Sequence, residues 1–176
     1  MKYVLTDNSR VDFVAHAPLH AFKGWAIGGL QAEAEIDVDQ GTLQCLRAEV
    51  ETRCFDTADR ERTRAMSRYF ALPDHPRAGF SLSECREFRY LGGNRWRTAM
   101  LGVLDFVDIR RQLPLTGLLQ MANGRLLWDL QCKWSFKAYG LKAPRMLFLA
   151  VRDIVDIAAH LEFIPQEIEE INHVHQ

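Results

Sequence analysis

The sequence predicts a mainly β protein, a single lipocalin-like antiparallel eight-stranded β-barrel with one short helical insertion at about 57–70. Three observations carry this. Apolar and polar residues alternate with period two in run after run, turn-forming pairs separate the runs, and one polar helical stretch is fenced by capping and proline signals. Sheets with one apolar face can close at about eight strands and so remove their edges.

In chain order, Tyr3–Leu5 and Val11–His16 read as the first strands, followed by a glycine-rich approach, Gly24-Trp25-Ala26-Ile27-Gly28-Gly29. Leu30–Val38 and Leu43–Thr52 form a pair across Asp39-Gln40-Gly41. The helical insertion follows. Asp56 and Thr57 are both good N-cap residues, and Asp59 and Glu61 lie near the positive end of the helix dipole. Leu72-Pro73 and His75-Pro76 then bar continuation, because residues before proline are pushed to extended conformations.

Ala78–Cys85 resumes the sheet, and Leu91-Gly92-Gly93-Asn94 turns the chain into Trp96–Phe106. Leu113–Met121 pairs back, and Asn123-Gly124 is a strong hairpin signal leading into Leu126–Lys137. There the alternation is cleanest. Leu126, Trp128, Leu130, Cys132, Trp134 and Phe136 share one face, and Leu127, Asp129, Gln131, Lys133, Ser135 and Lys137 share the other. Val155–Ile164 closes the set, with Val155, Ile157, Ala159, Leu161 and Phe163 on the apolar side.

A chain of 176 residues suits one domain with a substantial core. That domain is expected to span 1–165, with 166–176 as a C-terminal tail. Within the tail, His173 and His175 read as part of a frayed amphipathic end. A net charge of −1 supplies no overall electrostatic attraction to nucleic acid or an anionic membrane. No apolar run reaches membrane-spanning length and the N-terminus has no signal-like apolar region, so the expected location is cytoplasmic, without stable membrane insertion. Cys45, Cys54, Cys85 and Cys132 lack paired metal-ligand spacing and are expected as thiols, with no metal. No nucleophile elbow, P-loop or HExxH occurs, and no catalytic residues are assigned.

Four segments together resemble the YceI-like family of polyisoprenoid- or lipid-binding domains. They are Ser9–His16 with His20–Gly24; Phe55-Asp56-Thr57 through Arg62, Met66, His75-Pro76 and Phe80; Leu101–Arg110 with Leu113 and Leu115; and Phe136, Tyr139-Gly140-Leu141 with Val151–Ile157. The order and spacing match over nearly the whole chain. Departures are Ala58, Thr63 and Ala65 in the helix and the missing hairpin glycine at Phe106–Asp108. The resemblance implies an elongated lipocalin-like barrel whose apolar pore holds a long isoprenoid or acyl chain, with no other cofactor.

Such a tail has almost no hydrogen-bonding groups, so its affinity comes from apolar burial at ~25 cal/mol per Å². Aromatics and Met suit that lining. The candidate ligand-binding residues are Phe13, Phe22, Trp25, Phe80, Trp96, Met100, Trp128, Trp134, Phe136, Leu161 and Phe163, with His16, His20 and Arg62 as candidates for a polar head group. Two alternatives stay open: a barrel holding haem or another redox group on His16 or His160, and an interaction module with a filled core. A homodimer is also open, since exposed apolar patches often pair.

Overall fold

The structure is a computed structural model that describes residues 1–146 and 148–167. The strands are β1 (Lys2–Leu5), β2 (Arg10–Ala17), β3 (His20–Ile27), β4 (Leu30–Asp37), β5 (Thr42–Glu51) and β6 (Phe55–Asp56). Helix α1 (Arg60–Phe70) follows, then β7 (Arg77–Gly92), β8 (Arg95–Phe106), β9 (Ile109–Ala122) and β10 (Arg125–Ser135). A short hairpin, β11 (Arg145–Met146) and β12 (Leu149–Ala150), precedes β13 (Ile154–Pro165).

Eight strands close the barrel in the order β1-β4-β5-β7-β8-β9-β10-β13, with β13 returning to β1. All pairings around it are antiparallel. One edge of β13 is shared. Its C-terminal half pairs with β1 (Leu5↔Phe163), its N-terminal half with β2 (Val155↔Ala15). At the changeover the backbone of Glu162 stays satisfied, its N–H donating to Ser9 Oγ (3.0 Å) and its carbonyl accepting from Thr6 N (2.8 Å). Beyond it, β2 and β3 form a hairpin ending on β6, so the wall splays open at this end.

Several boundaries differ from the sequence reading. Phe55–Asp56 pairs with β3, and the helix begins later, with Asp59 as the N-cap accepting from Arg62 N (2.9 Å). Asp56 and Thr57 therefore do not cap it. Asp56 accepts from Ala58 N, and the Thr57 hydroxyl lies 2.8 Å from that of Thr63. The helix ends as expected, at a left-handed Ala71 before Leu72-Pro73. Asp59→Ala is expected to cost about 1 kcal/mol, read as a lower urea midpoint at unchanged slope.

Strand β7 runs to Gly92, well past Cys85, because three register shifts let a long strand keep pairing with β8 as it bends. Strand β10 stops at Ser135, and Phe136 turns into a 3₁₀ segment while its ring stays buried. The expectations for the tail, including His173 and His175, lie outside the described residues, as does most of 166–176.

Candidate functional site: an apolar barrel cavity under the helix

The inward face of the barrel changes character along its length. On β10, Leu126 and Trp128 are 0% exposed, while Cys132 is only half-buried before Trp134 closes in again. On β13, Phe163 is sealed, Ala159 and Ile157 are half-buried, and Val155 is buried. Half-buried side chains on an inward face mark unfilled space inside the barrel. The barrel is solid at one end, hollow in the middle and aromatic at the other end.

The solid end is a cluster of Tyr3, Ile36, Leu46, Trp96, Met100, Leu119, Leu126, Trp128 and Phe163. Its one buried polar pair is satisfied, Trp128 Nε1 donating to Thr98 Oγ1 at 3.0 Å. Gly102 belongs to this lining because the Phe80 ring lies against it. A Cβ there would sit 2.2 Å from Phe80 Cζ.

Above this floor lies a cavity of about 680 Å³, within the ~300–1,000 Å³ usual for small-molecule sites. Its walls include Phe13, Ala15, Ala48, Val50, Phe80, Leu104, Leu130, Cys132, Ile157 and Ala159. Helix α1 covers the open end, presenting Ala65, Met66, Tyr69 and Phe70 to the cavity. Phe70 packs on Phe106, Trp134 and Phe136, with ring centroids 5.2–6.2 Å apart. The Tyr69 hydroxyl donates to the carbonyl of Lys142, tying the helix to the segment before β11.

Polar groups at the cavity are few. Arg62 sits at its edge with its guanidinium 5.1 Å from the Phe22 ring centroid, a cation–π contact. Burial pushes the Tyr139 phenol up to about 12, opposed by the nearby Trp134 indole, while its hydroxyl donates to Leu104 O (3.1 Å). Trp134 lines the cavity, and its buried Nε1 has no hydrogen-bond acceptor.

Apolar surroundings also push the Cys132 thiol up to about 11 from its ordinary 9.0. Two pKa units leave roughly a hundredfold less thiolate at neutral pH. Labelling of Cys132 by N-ethylmaleimide, followed by peptide mass spectrometry, is expected to be slow at pH 7 and to accelerate toward pH 11. Labelling at the rate of an open thiol would contradict the apolar setting.

The structure sorts the candidate residues into three groups. Phe13, Phe22, Phe80, Trp134, Phe136 and Leu161 line the cavity, and Arg62 stands at its edge. Trp96, Met100, Trp128 and Phe163 share the inward face but form the packed floor, where no void remains beside them. Trp25, His16 and His20 do not line the cavity. In β3 the buried set is Phe22, Gly24 and Ala26, which turns Trp25 outward, and Phe13 fills the space over Gly24. His16 bonds Asp156 on the outer wall (2.7 Å), and His20 stacks on Phe22 from an exposed position. His160 also faces out, 2.8 Å from Asp129, so neither His16 nor His160 reaches a ligand inside.

The cavity residues that sequence reasoning passed over are mainly small or helical: Ala48, Ala159, Cys132, Met66, Tyr69 and Phe70. Met66, Tyr69 and Phe70 stand at i, i+3 and i+4, a helix stripe that a count at period 3.6 recovers.

No protein-family model matches the chain, and no curated protein sequence matches it. Its fold is nonetheless shared with solved structures. It superposes on a polyisoprenoid binding domain from Saccharophagus degradans, implicated in plant cell wall breakdown, with a TM-score of 0.74 and 13% identity, covering 93% of this chain and 98% of that one. BcnA of Burkholderia cenocepacia matches at 0.72 and 17% identity, covering 88% and 95%. The Campylobacter jejuni YceI protein matches at 0.70 and 13% identity, covering 86% and 90%. The fold defines a class, the closed eight-stranded antiparallel β-barrel. Within it, this chain shares the barrel fold of the three structures, the Campylobacter jejuni YceI protein among them.

Proposed function

We propose that this protein binds a long apolar lipid, a polyisoprenoid or similar acyl chain, in the barrel cavity and carries or sequesters it without chemical change. The observation that supports this most is the hollow interior of the barrel above its packed floor. A domain that only needed a core would fill this space, since native interiors leave few voids larger than a water molecule. The wall is mostly hydrocarbon and aromatic ring, with charged and polar side chains such as Lys23, Glu49, Arg62 and Arg145 at its border. A flexible chain of methyl and methylene groups is the ligand class that such a wall holds by burial alone. The fold shared with a polyisoprenoid binding domain supports the same reading.

The cavity offers little for catalysis. Its thiol stays protonated at neutral pH, and Tyr139 holds its proton for the same reason, burial. The carboxylates Asp153 and Asp156 bond to Ser135 and Lys133, away from the cavity wall. Arg62 at the edge gives a ligand oxygen one place to bind.

Titration with geranylgeraniol tests the proposal through the one tryptophan at the cavity wall. A saturable fluorescence change near one equivalent is expected, and Trp134→Phe removes it. A protein whose emission does not respond to geranylgeraniol or to palmitate would sink the lipid-carrier reading.

A further inference from the structure

Two side chains on the rim around the cavity stand out of the molecule altogether. Leu19 is 102% exposed and Phe148 is 97% exposed, the two most exposed large apolar residues of the described chain. Each sits at the second position of a two-residue hairpin connection, Leu19 between Ala17 and His20, and Phe148 between Met146 and Leu149. Both have φ of 62°. Left-handed backbone at that position ordinarily selects glycine or asparagine, and a bulky apolar residue there is strained. Val107 (φ 50°) in the β8–β9 connection is similarly strained but packs on the aromatic cluster, whereas Leu19 and Phe148 pack on nothing.

The two tips belong to one end of the barrel. Arg152 N donates to His16 O (2.7 Å), tying the chain just past β12 to the end of β2. Ala17 and Val151 lie in one aromatic cluster with Trp134 and Phe136, beneath helix α1. Met146, two residues before Phe148, lines the cavity. The tips therefore flank the cavity's open end.

The charge around that end is one-sided. Lys23, Arg62, Arg68 and Arg145 all border the cavity, and among the described residues none has a carboxylate partner. Among the described charged residues at the cavity Glu49 is the one carboxylate, and it pairs with Arg77 at 2.9 Å; Asp59 and Asp153, farther out, keep their charge while bonding the helix N-terminus and Ser135. Glu61 is the acidic residue of the first helical turn. A net charge of −1 for the whole chain conceals this separation.

We infer that the cavity rim docks peripherally on an anionic lipid bilayer, with Leu19 and Phe148 inserted at the headgroup boundary and the rim cations against lipid phosphates. Insertion of apolar side chains and attraction to anionic lipid are the two terms that hold proteins on membrane surfaces. The strained tips place those side chains outside the fold, where packing cannot reward them and a bilayer can. Docking would bring the cavity's open end to the phase in which long apolar lipids reside. The inference extends the lipid-carrier reading, and its apolar anchors, Leu19 and Phe148, are not residues of the cavity wall.

Vesicle sedimentation of the full chain tests it. Binding is expected to vesicles of phosphatidylcholine with phosphatidylglycerol, to weaken in pure phosphatidylcholine, and to fall as salt screens the rim. The double variant Leu19→Asn, Phe148→Asn accepts the left-handed backbone and so keeps the fold. It is expected to bind anionic vesicles about tenfold or more weakly, while its geranylgeraniol titration matches the parent. Parent protein that stays in the supernatant at low salt would overturn the inference, as would a double variant that sediments like the parent. A concentration-dependent dimer abolished by the double variant, with no vesicle binding, would assign the tips to self-association instead. Loss of geranylgeraniol binding in the parent, with vesicle binding intact, would overturn the cavity reading alone.

Discussion

Ala48→Phe combined with Ala159→Phe is expected to abolish geranylgeraniol binding while leaving the protein folded. Both methyl groups face the cavity, from β5 and from β13. A ring at each position occupies volume that the ligand needs and that the protein leaves empty. Excluding four methylene-sized groups of ligand would cost about 3 kcal/mol at ~0.8 kcal/mol each, which exceeds a hundredfold in affinity. The rings enter a void and not a packed core, so the loss of stability is expected to stay within about 1–3 kcal/mol, the usual range for added core volume. Binding by isothermal calorimetry and a urea melt on the same sample separate the two effects. Unchanged affinity in a folded variant would place the ligand elsewhere on the molecule.

Trp128→Ala is expected to give the largest loss of stability, about 3–5 kcal/mol. Trp128 is 0% exposed in the floor cluster, beside Phe163 at a ring separation of 6.4 Å. Truncation opens a hole among residues fixed by sheet pairing on every side, and it leaves the Thr98 hydroxyl buried without its partner. For a domain of this size each kcal/mol moves the melting temperature by roughly 2–4 °C, so a drop on the order of 10 °C is expected by calorimetry. The same truncation at Trp134 should be milder, because Trp134 already borders open space. Equal losses at the two positions would contradict the division into a solid floor and a hollow middle.

That division was only partly legible in the sequence. Period two fixes which face of a strand points inward, and along β10 and β13 it assigned each core residue to the correct side. It carries no information on depth. Trp128 and Trp134 look alike in the pattern, and only closure of the barrel puts one in the floor and the other at the cavity. Small residues mark the void, but Ala48 and Ala159 give weak signals one at a time, and their meaning depends on what lies across the barrel.

Trp25 lies off the cavity wall for a different reason. The apolar run through Gly24–Ile27 has no clean alternation, and its register follows from Gly24, where Phe13 takes the place of a side chain. The helix start was misplaced by three residues because Asp56, Thr57 and Asp59 are all competent caps. Strand pairing of Phe55–Asp56 with β3 decides among them. The hairpin tips were invisible, since nothing local tells an exposed Leu19 from a buried one. Pro18-Leu19 is a turn without the glycine that usually announces it.

Native mass spectrometry of protein purified without detergent, followed by organic extraction, tests the central claim most directly. The expected result is a near-stoichiometric mass adduct that extraction releases as a long isoprenoid or acyl species. A clean apo mass that persists after incubation with geranylgeraniol and with palmitate would contradict it, and would leave the cavity as space that this barrel does not use.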